Sequence, residues 1–260
     1  LGETVCIFGL GLIGQITAQL AKQAGATVIG LDLQDCRLLL AKNSGVDLVF
    51  NPQETNIVQE IAAATNHHGV DATIICAGSS DESIIQQAME ITRRKGRVVL
   101  VGDVPINFDR DPFYSKEIDF LISCSYGPGR YDHTYEQQGS DYPYPFVRWT
   151  ENRNLSYFID LIEHKKLLLE PLITHEFDIE NAAQAYQALC KEGGLGVILK
   201  YPEHDPVLMQ ELAILESSSH QIHVPERVKP YTHIKNVLNV SIIGTGGFAK
   251  TKILPIIASF

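Results

Sequence analysis

Over the first 118 residues, short apolar runs alternate with stretches in which apolar residues recur every three or four positions. A short continuous apolar run is typical of a strand buried on both faces of a sheet, whereas the wider spacing is typical of a helix with one buried face. The predicted strands are Val5–Phe8, Thr27–Leu31, Leu48–Phe50, Ala72–Cys76 and Arg97–Val101. The predicted helices are Ile13–Gln23, Arg37–Ser44, Asn56–Thr65 and Asp81–Arg93. Repeated strand–helix units predict an α/β fold, a doubly wound parallel sheet with flanking helices.

The pattern changes at about Asp119. The run FLISCSYG is strand-like, and Gly127–Val147, rich in glycine, proline, tyrosine and charge, predicts a long loop. The later predicted elements are a helix at Leu155–His164, a strand at Thr174–Phe177, a helix at Ile179–Cys190 and a strand at Val197–Lys200. Residues 201–239 contain four prolines and a serine run, which predicts a linker. The chain is therefore divided into segments 1–118, 119–200, 201–239 and 240–260.

The last segment repeats the first strand and turn. Val5–Gly14 aligns without gaps to Val240–Ala249, so residues 240–260 are predicted to be the truncated start of a second nucleotide-binding domain. The same residues approach the phosphate-binding P-loop pattern, since Gly244–Thr251 reads GxxxxAKT. Ala249 stands where that pattern needs glycine, and the internal alignment favours the dinucleotide interpretation.

A glycine motif follows the first predicted strand. Gly9, Gly11 and Gly14 form GxGxxG between a strand and a helix, the context that makes this otherwise weak pattern specific. The first glycine permits a tight turn, the second lets the backbone approach a pyrophosphate, and the third allows close helix–strand contact. The free N–H groups at the helix start would then face the phosphates.

Asp32 provides the second half of the dinucleotide signal. It ends the second predicted strand, eighteen residues after Gly14. A carboxylate at this place accepts hydrogen bonds from the adenosine ribose and repels a 2′-phosphate, so it selects NAD over NADP. Motif, context and spacing together predict a Rossmann domain that binds NAD(H).

Two further strand ends are candidate parts of the site. Ligands of open parallel sheets bind beyond the carboxyl ends of the strands. Cys76, Ala77 and Gly78 follow one strand, and Val101, Gly102 and Asp103 end another. These small residues would admit a cofactor ring, although such positions are also ordinary strand-ending turns.

Charge and composition exclude several classes of function. The formal net charge of −10 argues against a nucleic-acid partner and against docking on an anionic membrane. No apolar run approaches the roughly 20 residues that cross a bilayer, and the opening LGETV lacks the pattern of a signal peptide, so none is expected. The five cysteines are scattered, without a disulfide or metal-knuckle pattern, so a reducing, cytoplasmic location is expected. Because the chain starts at Leu1 and stops within a helix-like pattern, we expect it to be part of a longer protein.

Several segments, in order and spacing, resemble the medium-chain dehydrogenase/reductase family, the alcohol, sorbitol and threonine dehydrogenase group. These segments are GETVCIFGLGLIG, VIGLDLQDCR, AKNSGVDLVFNP, GVDATIICAG, GRVVLVG and PLITHEFDIENAAQAYQAL. The resemblance runs from Gly2 to about Tyr201. It implies that residues 119–200 are the C-terminal part of a dehydrogenase, leading back towards a catalytic domain.

The same resemblance implies roles for individual residues. Gly9, Gly11, Leu12, Ile13 and Gly14 would bind the pyrophosphate. Asp32 would hold the ribose, with Leu33 beside it and Arg37 contacting the same ribose. Ser123–Tyr126, which includes Cys124, resembles the strand whose backbone meets the nicotinamide amide.

The chain departs from the family in lacking the N-terminal catalytic domain. That domain supplies the ligands of the catalytic zinc where zinc is present, so no metal ligand or catalytic residue is assigned here. Zinc is therefore an open question for the longer protein. Dimers through the sheet edge are common in the family, which makes a homodimer the candidate assembly. The tail NVSIIGTGGFAKTKILPIIASF resembles the start of the glucose–fructose oxidoreductase and inositol 2-dehydrogenase family.

The leading hypothesis is an NAD(H)-dependent oxidoreductase that moves hydride between the nicotinamide and a hydroxyl/carbonyl pair on a small alcohol or sugar. Two alternatives stay open. The domain could be a non-catalytic module that senses NAD, or it could come from a zinc-free enzyme of the quinone-reductase type.

Overall fold

A six-stranded parallel sheet forms the first part of the computed structural model, which describes residues 1–191 and 194–202. Its strands are β1 (Thr4–Phe8), β2 (Thr27–Leu31), β3 (Leu48–Phe50), β4 (Val70–Ile75), β5 (Thr92–Leu100) and β6 (Asp119–Ile122). The helices between the first five strands are α1 (Leu12–Gln23), α2 (Asp35–Asn43), α3 (Ile57–Ala64) and α4 (Ile84–Ile91), and the short α5 (Arg110–Phe113) precedes β6. The strand order is β3-β2-β1-β4-β5-β6, and every neighbouring pair is parallel. The predicted doubly wound α/β fold is confirmed.

Both faces of the sheet are buried at its central strands, which explains why β1 and β2 have no polar residue after their first threonine. Cys6 and Phe8 of β1 belong to a core cluster shared with α3 and α4. Val5 and Ile7 belong to a second cluster, shared with α1 and α2 on the opposite face. Each fully buried side chain of this kind stabilises the fold by roughly 1.5–3 kcal/mol.

The strand order creates a crevice at β1. From β1 the chain builds outward to β2 and β3, then returns to place β4 on the other side of β1. The connections after β1 and β4 therefore diverge above the carboxyl ends of these two strands. Open parallel sheets bind their ligands in such a crevice.

Beyond residue 122 the chain forms further elements outside the six-stranded sheet. They are α6 (His133–Glu136), α7 (Glu151–Glu163), β7 (Ile173–Asp178), α8 (Ala182–Lys191) and β8 (Gly196–Lys200). Strands β7 and β8 pair in parallel as a separate two-stranded sheet, with α8 packed against both. Among the described residues, no helix is both long and apolar enough to span a membrane.

Several boundaries differ from the sequence prediction, and the largest differences lie around and after residue 118. The six-stranded sheet continues past residue 118, because β6 pairs with β5. Its last residue is Ile122, so Ser123–Tyr126 is not strand, and Ser125 has a positive φ of 50°. The predicted loop also contains α6, a single turn capped by the Asp132 carboxylate, which accepts the N–H groups of Thr134 and Tyr135. One turn is too short to show helical spacing.

The predicted linker, beyond Pro202, and the predicted second nucleotide-binding domain at 240–260 lie outside the described residues. Those divisions of the chain stay predictions.

Candidate functional site

A cleft of about 490 Å³ opens above the carboxyl ends of β1, β2 and β4. Its lining includes Gly9, Gly11, Asp32, Leu33, Gln34, Arg37, Pro52, Gln53, Cys76, Ala77, Gly78, Ser79 and Asp81. The cleft therefore lies in the crevice that the strand order predicts for a ligand.

The turn from β1 into α1 is packed so tightly that two of its glycines cannot be replaced without movement. Gly9 has a φ of +86°, and a Cβ there would lie 2.8 Å from the Ala77 Cα. A Cβ on Gly14 would lie 1.9 Å from the Gly9 carbonyl oxygen. These contacts correspond to the tight turn and the close helix–strand approach that the motif predicts.

Gly11 differs from its two neighbours in the motif. A Cβ at this position would meet no protein atom within 4 Å, and its φ of −64° suits any residue. Protein packing therefore gives no reason for glycine here. Its lack of a side chain leaves open space at the edge of the cleft, as required where a ligand approaches the backbone.

Helix α1 presents its N-terminus at this open space. Gly11 is the N-cap residue and has no side chain with which to cap the helix. The first N–H groups of a helix lack partners within the helix, and they carry the positive end of its dipole. An anionic group such as a phosphate is the ligand that such a terminus favours. Leu12 and Ile13, in this first turn, direct partly exposed side chains outward.

Asp32 is held in place by the backbone on both sides. It is only 8% exposed. One carboxylate oxygen accepts the Leu10 N–H at 2.7 Å, and the other accepts the Gln34 N–H at 2.9 Å. The Arg37 guanidinium lies 3.8 Å from the first oxygen. A carboxylate fixed in this way at the wall of the cleft is a ready acceptor for ligand hydroxyl groups.

The loops after β4 and β5 are joined into one wall. The N–H groups of Val101 and Gly102 both donate to the Ile75 carbonyl, at 2.9 and 2.8 Å. The Ser79 N–H donates to the Asp103 carbonyl at 3.0 Å. A Cβ on Gly102 would lie 2.1 Å from the Ala77 carbonyl oxygen, so this glycine has a packing role.

Cys76 contributes a half-buried thiol to the cleft. Burial raises the pKa of this thiol above its usual value, and a 3.7 Å hydrogen bond to the Thr17 hydroxyl lowers it by less. Because the thiolate is the nucleophilic form, the raised pKa makes the Cys76 side chain a weak nucleophile at neutral pH.

The structure brings most of the predicted site residues together. Eight of them line the cleft: Gly9, Gly11, Asp32, Leu33, Arg37, Cys76, Ala77 and Gly78. Leu12, Ile13 and Gly14 form the adjoining first turn of α1. Asp103 lines a neighbouring pocket of about 420 Å³ together with Gly78. Val101, Gly102 and Cys124 are absent from both linings, and Cys124 is exposed in the turn after β6.

The sequence reasoning missed one wall of the cleft. Gln34, Pro52 and Gln53 lie beyond the ends of β2 and β3. The rule that singled out the other strand ends applies to these as well, so the Asn51-Pro52 turn was an available signal. On the opposite wall, Asp81 has a pKa held below its usual range by hydrogen bonds from Ser83.

No group of three or more His, Cys, Asp or Glu side chains is placed to hold a metal ion within residues 1–191 and 194–202. The sequence pattern ExxxHxxH at Glu216, His220 and His223, a spacing that metal ligands can have but that stands in the serine-rich predicted linker, lies outside that range. The described residues therefore assign no zinc ligand.

Comparison with known proteins agrees with this architecture. Residues 13–138 match the family model described as zinc-binding dehydrogenase. A sorbitol dehydrogenase of Halalkalibacterium halodurans is 28% identical over 203 residues, which cover 76% of this chain and 52% of the relative. A D-guloside 3-dehydrogenase of Escherichia coli K12 is 31% identical over 192 residues, covering 71% of this chain and 50% of the relative.

Solved structures share the fold. The alcohol dehydrogenase TADH from Thermus sp. ATN1 superposes with a TM-score of 0.62 at 22% identity, over 77% of this chain and 51% of that one. A short chain alcohol dehydrogenase of E. coli CFT073, complexed with cofactor NADH, superposes with a TM-score of 0.60 at 23% identity, over 76% and 52%.

These matches support a domain of the zinc-binding dehydrogenase type in this chain, and the curated relatives are named dehydrogenases. The chain spans about half the length of the curated relatives it matches. The resemblance of the tail to the glucose–fructose oxidoreductase family lies outside the residues that the family model matches.

Proposed function

We propose that this chain binds NAD(H) as the coenzyme domain of an oxidoreductase acting on a small alcohol or sugar. The observation that carries the proposal is the pairing of an open glycine with a fixed carboxylate in one cleft. Gly11 leaves space at a helix N-terminus, and Asp32 stands in the same cleft, held by two backbone N–H groups. An anionic diphosphate and a ribose diol match these two features.

Each part of the coenzyme has residues suited to it. The N–H groups at Gly11, Leu12 and Ile13 would hold the pyrophosphate. Asp32 would accept the ribose hydroxyls and repel a 2′-phosphate, which gives the preference for NAD(H) over NADP(H). Arg37, close to that carboxylate, would contact the same ribose. Leu33, 57% exposed beside Asp32, offers an apolar surface to the adenine.

The other wall suits a nicotinamide because its residues are small. Cys76, Ala77 and Gly78 leave room for a ring, and the Cys76 thiol, with its raised pKa, adds no competing nucleophile. When bound, the coenzyme supplies or accepts the hydride. This chain would bind and orient it, whereas the described residues assign no proton donor and no metal ligand.

The substrate class comes from the relatives alone. They are named for sorbitol, for alcohols and for a D-guloside, all compounds with a hydroxyl that a dehydrogenase can oxidise. A zinc site, a homodimer and a cytoplasmic location stay predictions.

Gly11→Ala tests the proposal directly. Alanine fits the Gly11 backbone and meets no protein atom, and its lower unfolded-state entropy is offset by its poorer fit at an N-cap, so stability should change by less than about 1 kcal/mol. The added methyl group would occupy the space proposed for the pyrophosphate, and NADH affinity should fall by about tenfold or more, roughly 1.4 kcal/mol. NADH fluorescence titration measures affinity, and thermal unfolding measures stability.

Gly14→Ala is the contrasting variant from the same motif. Its methyl group would collide with the Gly9 carbonyl, so both stability and NADH binding should fall. If Gly11→Ala binds NADH as tightly as the unmutated chain, the open space at this glycine is not the diphosphate site and the proposal fails.

Asp32→Ala tests the coenzyme preference. NADH affinity should weaken by roughly tenfold to a hundredfold, the effect of losing a charge-assisted hydrogen bond. NADPH affinity should be unchanged or rise, because the charge that repels its 2′-phosphate is removed. A chain that prefers NADPH before mutation would contradict the role of Asp32.

A further inference from the structure

Gln15 is a buried glutamine whose side chain connects two parts of the cleft. It lies in the first turns of α1 and is fully buried. Its amide nitrogen donates to the Leu10 carbonyl at 3.2 Å and to the Arg37 carbonyl at 2.9 Å. Leu10 belongs to the turn between β1 and α1, and Arg37 lies in α2. One side chain therefore joins the phosphate-binding turn to the helix beside Asp32.

The orientation of this amide is determined by its surroundings. Only the NH2 group can face two carbonyl oxygens, because the amide oxygen has no hydrogen to donate. That oxygen is itself buried and has no hydrogen-bond partner among the described residues. A buried acceptor without a partner costs stability. The side chain thus holds its place through the two bonds of its nitrogen.

These bonds complete a ring of contacts around Asp32. The Leu10 N–H donates to the Asp32 carboxylate at 2.7 Å, and the Leu10 carbonyl accepts from Gln15. Gln15 also holds the Arg37 carbonyl, and the Arg37 guanidinium returns to within 3.8 Å of the same carboxylate oxygen. The ring comprises Leu10, Gln15, Arg37 and Asp32, and its two charged members, Arg37 and Asp32, line the cleft.

We propose that Gln15 is a positioning residue for coenzyme discrimination, an inference that rests on the proposed function. By holding the Arg37 backbone, it keeps the guanidinium beside Asp32. Without the hydrogen bonds of Gln15, the guanidinium can turn towards a 2′-phosphate. The Leu10 N–H, which donates to the Asp32 carboxylate, is then also fixed less firmly. Both changes favour NADPH relative to NADH.

The chain offers a matched control one turn along the same helix. Gln19 is also buried, and its amide exchanges two hydrogen bonds with the backbone of Leu168, at 3.1 and 2.6 Å. Those bonds lead to the segment before β7, away from Asp32 and Arg37. Gln19→Met therefore removes an equivalent pair of bonds without touching the ring.

The experiment compares Gln15→Met and Gln19→Met in the full chain. Dissociation constants for NADH and NADPH are measured by fluorescence titration, and thermal unfolding is followed for each variant. Both substitutions should lower thermal stability. Only Gln15→Met should lower the preference for NADH over NADPH, by about fivefold. If Gln15→Met does not fold, Gln15→Leu provides the same comparison.

A double variant tests the route through Arg37. Arg37→Ala alone removes the cation that a 2′-phosphate would use. In that background Gln15→Met should change the preference by less than twofold, because coupled positions are not additive. An unchanged preference in Gln15→Met alone, or an equal fall in Gln19→Met, would overturn the inference and leave the proposed function intact. If the unmutated chain binds neither nucleotide, both this inference and the proposed function are refuted.

Discussion

Two strands of equal length, β4 and β7, show how differently the two parts of the described chain are built. β4, VDATII, has four buried and two half-buried residues, because helices cover both faces of its sheet. β7, ITHEFD, alternates strictly between half-buried and exposed residues. Helix α8 packs against this strand, and every second residue of the strand is exposed.

The difference explains where local sequence is enough to define structure. In the six-stranded sheet, each apolar strand finds a partner surface within the same hundred or so residues, so pattern and packing agree. After residue 122, large apolar side chains such as Phe146, 87% exposed, are not covered within the described residues. The two regions should therefore respond differently to the same kind of substitution.

The largest expected effect comes from truncating one buried and one exposed apolar side chain. Ile75 of β4 is fully buried in the core, so Ile75→Ala should destabilise the chain by about 2–5 kcal/mol. Phe146→Ala, although it removes more atoms, should change stability by less than about 0.5 kcal/mol. Urea unfolding of both variants measures the contrast. A loss of equal size in Phe146→Ala would show that the Phe146 side chain packs against a surface, and the two regions would then not differ in this respect.

The first region was largely predictable because its signals are local. The strand Leu48–Phe50 was predicted to the residue, and Val5–Phe8 differs from β1 by one position. The end of α4 was not predicted correctly, because the predicted helix extended to Arg93. In the structure Thr92 starts β5, with its hydroxyl bonded to the Ala88 carbonyl and to the Thr73 hydroxyl of β4. That partner is nineteen residues away, and no local pattern reports it.

The candidate site shows the same division. The glycine motif and Asp32 could be found because their chemistry depends on spacing along the chain. Gln15 could not, because a polar residue within a helix is ordinarily exposed, and its partners on Leu10 and Arg37 come together only in the fold. Cys124 was placed at the site by resemblance, and the structure leaves it exposed and outside the lining.

A smaller effect should come from an ion pair in the first region. Asp71, at the start of β4, accepts the Thr4 N–H at 2.8 Å and the Arg93 side chain at 2.6 Å. Burial alone would raise the pKa of Asp71, but these hydrogen bonds outweigh it and hold the pKa below its usual value. Asp71→Asn should therefore cost about 1–2 kcal/mol at neutral pH.

The sign of the pH dependence follows from the lowered pKa. The stabilisation by Asp71 is fully present above the unfolded pKa of about 3.9 and is lost as pH falls through the lower folded value. The unmutated chain and Asp71→Asn should thus differ at pH 7 and converge in acid, measured by urea unfolding at each pH. The matched variant in the second region is Glu176→Gln, which breaks the exposed pair with Lys200 and should cost less. A difference that persisted unchanged into strong acid would contradict the assignment to Asp71.

The smallest expected effect needs no mutation. It compares a cysteine of the first region, at the candidate site, with a cysteine at the start of the second region. Cys76 lines the cleft with a thiol whose pKa burial raises, whereas Cys124 is exposed. Iodoacetamide at neutral pH should therefore label Cys124 before Cys76, as read by peptide mass spectrometry. Saturating NADH should slow the labelling of Cys76 by a few-fold and leave that of Cys124 unchanged, because only the first would be covered. Protection of Cys124 as well would return it to the coenzyme site, where the family resemblance put it, and would mean that the turn after β6 closes over the nicotinamide when the coenzyme binds.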